Sequence, residues 1–193
     1  MEKIPGKTAI FVDLSGSMRS SVSPRSMVTY LDISSLFGAI ADRVCEKSVV
    51  GVFGQDFKVV NASKSAPTLT KMNQIKGTHV GHSTNAWKAI RWLRETGQDV
   101  DRVMVFSDEQ VYNSRWGGTE TLQEEMVRYR REQNPNAFLH SIDLAGYETT
   151  MIPNGDPKSN LVAGWSEKVL DYINYTEQGF GKMVDIVEKY ECL

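Results

Sequence analysis

Short apolar runs recur along this chain, and turn-forming residues bound most of them. Unbroken runs of this length are typical of strands in a parallel sheet that is covered on both faces. The predicted strands cover residues 9–12, 48–53, 102–106, 137–144 and 161–165. A further short strand, 57–60, follows the turn formed by Gly54, Gln55 and Asp56, which favours an antiparallel hairpin.

Between these runs, apolar residues recur at the three- and four-residue spacing of amphipathic helices. The spacing predicts helices over about 27–46, 86–96, 121–133 and 179–191, with a shorter one near 71–75. Thr84 or Asn85 is in place to cap the helix from residue 86. Thr121 and Glu124 form a capping-box pattern at the start of the next one.

Strands that alternate with helices predict an α/β fold. We expect a single doubly wound, Rossmann-like domain over residues 1–193, with a mostly parallel central sheet, one antiparallel edge strand and helices on both faces. Three longer loops are predicted over 62–81 (around the short helix), 109–118 and 147–160. The second loop contains Trp116 and is a candidate contact surface.

Composition narrows the class of protein. A chain of 193 residues with 40% hydrophobic and 24% charged residues is typical of one globular domain. Its net charge of −2 provides no general attraction to nucleic acid or to anionic membranes. No apolar run has transmembrane length, and the N-terminal residues do not resemble a signal peptide. With only two cysteines, we expect a reducing, cytoplasmic setting and no membrane partner.

The most informative segment directly follows the first apolar run. Asp13, Ser15 and Ser17 come at steps of two, and Gly16 permits a tight turn between them. Three oxygen-bearing side chains at the carboxyl end of a buried strand form a plausible half-shell for a hard divalent cation. Taken alone, Asp13 and Ser15 are also suited to cap a turn through their own backbone, a less favoured alternative.

This Asp-x-Ser-x-Ser loop resembles the metal-ion-dependent adhesion site of von Willebrand factor A-type (vWA) domains. In that family, a threonine loop and an aspartate at the end of a later strand complete the site. Thr84 and Asp108 match those two positions. The resemblance implies a Mg²⁺ site (Mn²⁺ or Ca²⁺ as substitutes) in which an acidic group of a protein ligand takes an open position. Side chains beside the three loops are candidates for ligand contact, namely Met18, Ser83, Asn85, Glu109 and Trp116.

Two other chemistries fit the residues less well. A phosphoryl-transfer site of the haloacid dehalogenase kind requires a second aspartate two residues after the first, where this chain has Ser15. His79 and His82 lack the further nitrogen or sulfur ligands of a zinc site, since the cysteines lie in unrelated segments. We therefore expect a binding module and not an enzyme.

Other features, less specific than the metal loops, resemble the C-terminal domain of TROVE proteins, the Ro autoantigens and their bacterial relatives. They include the Ile4-Pro5-Gly6-Lys7-Thr8 entry to the first strand and the segment 161–166 before a closing helix. That resemblance implies a ribonucleoprotein that binds small noncoding RNA, mainly through a helical-repeat region with no counterpart in this chain. The alternative is a stand-alone vWA domain that binds a protein and has no RNA role.

Overall fold

The computed structural model describes residues 3–109, 120–146, 151–152, 155–166, 168–179 and 188. Within these residues, six strands form one sheet: Ile4–Asp13 (β1), Cys45–Phe53 (β2), Phe57–Val59 (β3), Arg102–Ser107 (β4), Phe138–Asp143 (β5) and Ser159–Ala163 (β6). Their order is β3-β2-β1-β4-β5-β6. Neighbouring strands are parallel except β2 and β3, which pair antiparallel as a hairpin. The predicted sheet, with one antiparallel edge strand, is confirmed.

Helices cover both faces of this sheet, as predicted. They are Tyr30–Val44 (α1), Thr68–Lys76 (α2), Trp87–Glu95 (α3), Leu122–Glu132 (α4) and Val169–Glu177 (α5). The helices α1, α2 and α5 share one apolar cluster with Ile10 and Val12 of β1. The helices α3 and α4 share the other with Ala9 and Phe11. Successive side chains of a strand point to opposite faces, so β1 supplies the centre of both halves of the core.

Capping boxes fix the starts of two helices. In α1, the Asp32 N–H donates to the Thr29 hydroxyl at 3.2 Å, and the Thr29 N–H donates to the Asp32 carboxylate at 3.0 Å. This helix therefore begins at Tyr30, three residues after the predicted start. The box predicted for Thr121 and Glu124 is present at the start of α4.

Two expectations about helix boundaries are wrong. Neither Thr84 nor Asn85 caps α3, whose N-cap residue is Ala86 and has no side-chain cap. The helix α5 is also absent from the predicted elements, because the closing helix is predicted over 179–191. Instead, Gly179 follows the end of α5 with a φ of 91°, a conformation in which glycine commonly terminates helices. Of the helix predicted over 179–191, only residues 179 and 188 are described.

The order of the strands creates a crevice at one edge of the sheet. From β1 the chain proceeds to β2 on one side, and β4 lies on the other side. Ligands of open α/β sheets bind where the order reverses in this way, outside the carboxyl ends of the strands. Asp13 ends β1 and Ser107 ends β4, so the predicted metal loops flank this point. None of the helices in the described part of the chain has an apolar stretch of bilayer-spanning length.

Candidate metal centre

The carboxylate of Asp13 occupies the carboxyl end of β1 and is fully buried. The Ser15 N–H donates a hydrogen bond to its Oδ1 at 2.7 Å. The Ser107 hydroxyl donates to its Oδ2 at 2.6 Å. Because Ser107 is the last residue of β4, the second bond joins the ends of two neighbouring strands. Both carboxylate oxygens are therefore held in fixed positions.

The hydroxyls of Ser15 and Ser17 lie side by side in the loop that follows β1. Their oxygens are 3.2 Å apart, with Ser15 buried and Ser17 half-buried. Two ligands at adjacent corners of an octahedron with bonds of about 2.1 Å lie about 3.0 Å apart. The spacing of the two hydroxyls therefore fits neighbouring positions around Mg²⁺.

The threonine loop (residues 81–85) is hydrogen-bonded to the serine loop (residues 15–17) and to the turn after β2. The Gly16 N–H donates to the His82 carbonyl at 2.9 Å, and the Asn85 N–H donates to the Gly54 carbonyl at 3.0 Å. Between these two anchors, Thr84 is buried. The backbone thus places Thr84 beside the loop that carries Ser15 and Ser17.

Burial dominates the electrostatics of this site. The pKa of Asp13 is raised from 3.8 to about 7, because burial and, to a smaller extent, the charge of the neighbouring Asp108 outweigh the bonds from Ser107 and Ser15, which lower it. Asp108 is itself buried at the end of β4. A buried carboxylate such as that of Asp13 is stabilised by a proton or by a cation beside it. The arrangement can therefore hold a divalent cation near these hydroxyls and carboxylates.

Glu109 has a role that the sequence did not indicate. Its backbone adopts a left-handed conformation with a φ of 57°, which is uncommon outside glycine. Its buried carboxylate accepts hydrogen bonds from the Ser141 hydroxyl and, at 2.6 Å, from the Met151 N–H. Burial raises the pKa of this carboxyl. Glu109 thus ties the segment after β4 to the neighbouring strand β5 and to a distant loop.

The five predicted metal-binding residues, Asp13, Ser15, Ser17, Thr84 and Asp108, all lie at this edge of the sheet; their binding of a metal stays a prediction. Among the described residues, no three His, Cys, Asp or Glu side chains form a metal-binding group. His79 and His82 are exposed on the loop before Thr84. The residue that sequence reasoning overlooked is Ser107. Its position at the end of a buried strand, directly before Asp108, was an available signal.

The predicted ligand-contact residues differ in exposure. Ser83 is exposed and Asn85 half-buried, with its side-chain amide donating to the Gln55 carbonyl at 3.0 Å. Met18 is fully buried, like Glu109. Trp116 lies outside the described residues. Contact with a ligand remains a prediction for all five.

Several solved structures share this fold. The Ro (RSR) protein of Deinococcus radiodurans superposes with a TM-score of 0.74 at 16% identity, covering 93% of this chain and 35% of that one. Manganese-loaded TRAP of Plasmodium vivax gives 0.54 at 14% identity, covering 88% and 71%. A von Willebrand factor type A protein of Catenulispora acidiphila gives 0.50 at 12% identity, covering 94% and 43%. These likenesses define a vWA-type fold. The chain spans about a third of the length of the Ro protein.

The family of this chain is shown by its sequence, in addition to the likeness in fold. The sequence model of the Ro60 vWA domain matches residues 7–175, and the chain therefore belongs to this family. A search of curated proteins finds no match. Domains of this kind are generally non-catalytic binding modules, and vWA domains commonly bind divalent metal ions.

Proposed function

We propose that this chain is a non-catalytic module that binds an acidic protein ligand through a divalent cation, with Mg²⁺ as the working ion and Mn²⁺ or Ca²⁺ as substitutes. The hydroxyls of Ser15, Ser17 and Thr84 would hold the ion directly. Asp13 and Asp108 would act directly or through water. The observation that supports this most is the 3.2 Å spacing of the Ser15 and Ser17 hydroxyls, two and four residues after a carboxylate that is fixed by Ser107.

The proposed ligand set explains the preference for an acidic partner. Hydroxyl oxygens are neutral, so a divalent cation held mainly by them keeps much of its positive charge. Mg²⁺ also retains water readily at positions that the protein does not fill. A carboxylate that replaces one of these waters completes the shell and neutralises the ion. The metal would thus recognise an acidic side chain of the partner.

Catalysis is the less favoured function for this site. Phosphoryl transfer through an aspartate requires a second acid–base group two residues later, and Ser15 occupies that position. The Ser15 hydroxyl lies 3.2 Å from that of Ser17 and has no adjacent histidine or lysine among the hydrogen bonds of the described residues. A serine without a base is a weak nucleophile at neutral pH. Both observations support a binding role.

We further propose that the module works within a Ro-like ribonucleoprotein in the cytoplasm. The family match and the likeness to the Deinococcus Ro protein support this context. Small noncoding RNA would bind mainly to an adjoining helical-repeat region. This chain has a net charge of −2, whereas an RNA-binding domain usually carries an excess of positive charge. The alternative is a stand-alone vWA domain over residues 1–193 with no RNA role. The neighbouring coding sequence distinguishes these alternatives, because an adjoining helical-repeat region would support the Ro-like ribonucleoprotein.

Calorimetric titration of Mg²⁺ and of Mn²⁺ into the metal-free protein tests the site. We expect saturable binding by the parent protein that is lost in Asp13→Ala and in Thr84→Ala. Ser83→Ala is a matched control for metal binding, because this exposed side chain lies beside Thr84 and is not a proposed metal ligand. Absence of binding by the parent, or equal loss in the control, would contradict the proposal.

A further inference from the structure

A cavity of about 250 Å³ opens beside the serine loop, between the end of β1, the start of α1 and the loop after α2. Four of its lining residues carry basic side chains: Arg19, Lys76, His79 and His82. None of the residues that line it is acidic. In a chain with a net charge of −2, such a concentration of basic groups is unexpected. We propose that this cavity binds a second acidic side chain of the same protein ligand. The inference rests on the proposed function.

The basic groups differ in how far they are already neutralised. Lys76 forms an ion pair with Asp32, with 2.5 Å between Nζ and Oδ1. Arg19 ends the short 3-10 helix Ser17–Arg19 and is exposed, and its guanidinium pairs with no carboxylate in the described part of the chain. Arginine is always charged and presents a planar fork that suits a carboxylate. Arg19 is therefore the principal cation of the cavity.

The cavity is rigidly connected to the candidate metal site. Leu14 and Arg19 line it, and the three serine-loop residues Ser15, Gly16 and Ser17 lie between them in the sequence. The opposite wall is the loop 78–82, which bonds to the serine loop through Gly16 and His82 at 2.9 Å. The same loop accepts a bond from the Asp56 N–H at the Val80 carbonyl, at 2.8 Å. One extended ligand segment can therefore reach both sites.

The size and lining of the cavity favour a side chain over a free inorganic anion. A volume of about 250 Å³ corresponds to roughly eight water molecules, which exceeds what one small anion requires. Leu14, Leu31 and Val80 supply an apolar floor suited to methylene groups. No phenylalanine, tyrosine or tryptophan ring lines the cavity to form the stacking platform that is typical of single-stranded nucleic-acid sites. These features point to glutamate or aspartate in a polypeptide.

The test uses metal-free protein, so that its outcome is independent of the metal site. The probe is N-acetylglutamate amide, and N-acetylglutamine amide is its neutral counterpart. Binding is followed by the NMR signals of the His79 and His82 imidazoles. We expect saturable shifts with the acidic probe only. Affinity should fall by up to about fivefold in Arg19→Gln, because the ion pair of an exposed guanidinium is lost.

Arg25→Gln is the matched control, since Arg25 is also exposed and does not line the cavity. The proposal is overturned if the probe causes no saturable shift, if the neutral probe acts equally, or if Arg25→Gln weakens binding as much as Arg19→Gln. It is likewise overturned if a uridine trinucleotide shifts these signals and the acidic probe does not. Calorimetry with Mg²⁺ decides the metal proposal separately, so the failure of one remains distinguishable from the failure of the other.

Discussion

At the scale of single residues, the ionisation of Asp13 controls the site. Its pKa of about 7 in the folded protein lies above the ordinary value of 3.8. The folded state therefore binds the proton more tightly than the unfolded state does. This contribution to stability is present below pH 3.8 and is lost as the pH rises through 7. At neutral pH without metal, the site consequently destabilises the fold.

Asp13→Asn should raise the free energy of unfolding of the metal-free protein at pH 7.5. The neutral amide avoids the cost of burying a charge, and the difference in pKa corresponds to at most about 4 kcal/mol. Urea unfolding in a chelating buffer measures this. The same variant should lose the rise in melting temperature that Mg²⁺ gives the parent. A less stable metal-free variant would refute this account, and Asp56→Asn, at an exposed aspartate, is the control.

The residues of the site differ in how readily the sequence predicts them. Asp13, Ser15 and Ser17 are close in sequence, so a local pattern is enough to place them together. The bond from Ser107 to Asp13 joins residues 94 positions apart, and it depends on β4 being the neighbour of β1. Glu109 reaches Met151 across 42 positions. No local pattern encodes such contacts, because the order of the strands creates them.

At the scale of elements, Gly38 lets α1 approach β1 closely. A Cβ at this position would lie 2.6 Å from the Val12 Cγ2, well inside normal contact distance. Val12 directly precedes Asp13, so the packing of α1 supports the strand that carries the site. A larger side chain at position 38 would push against Val12 and displace the end of β1, together with the serine loop.

Gly38→Ala should therefore destabilise the protein and weaken Mg²⁺ binding. Overpacking typically costs about 1–3 kcal/mol, which outweighs the gain of at most about 1 kcal/mol in helix propensity. The double variant Gly38→Ala with Val12→Ala removes the clash and should be less destabilised than the sum of the two single variants. Urea unfolding and calorimetry measure the two effects. Simple additivity in this cycle would contradict the packing argument.

The elements also show why a boundary can be misplaced. Buried apolar residues of α5 are Val169, Leu170 and Ile173, a weak helical pattern beside a segment of mixed composition. The predicted closing helix instead begins at Gly179. The positive φ of this glycine marks the end of a helix. Glycine is common at the ends of helices, but tertiary packing decides on which side of the glycine the helix lies.

At the scale of the whole molecule, the alternation of strands and helices was enough to predict the class of fold, and the short turn at 54–56 was enough to predict the antiparallel hairpin. The contacts at the end of the sheet opposite the metal loops were not predictable in this way.

At that end, the Glu177 carboxylate of α5 binds Arg102 of β4, with 2.7 Å from Nε to Oε1. It also accepts a hydrogen bond from the Nε2 of His140 in β5 at 2.8 Å. This network ties the last described helix to two central strands.

His140 makes this network sensitive to acid. Burial lowers the pKa of His140 and the charge of Arg102 acts in the same direction, whereas Glu177 raises it. The net shift is downward, so at neutral pH the uncharged imidazole donates a hydrogen bond to Glu177. The unfolded state binds the proton more readily than the folded state. Stability is therefore lost as the pH falls below the ordinary histidine value of 6.5.

We expect the parent protein to lose more stability than His140→Gln between pH 7.5 and 5.5, because glutamine keeps a donor for Glu177 and does not titrate. The difference should approach about 1.4 kcal/mol at pH 5.5, since one proton changes stability by that amount per pH unit. Asp13 acts in the opposite direction over this range but equally in both proteins, so it cancels. Urea unfolding across the range measures the difference, with the exposed His79→Gln as control. Parallel profiles for the parent and His140→Gln would show that this buried histidine does not set the acid sensitivity of the fold.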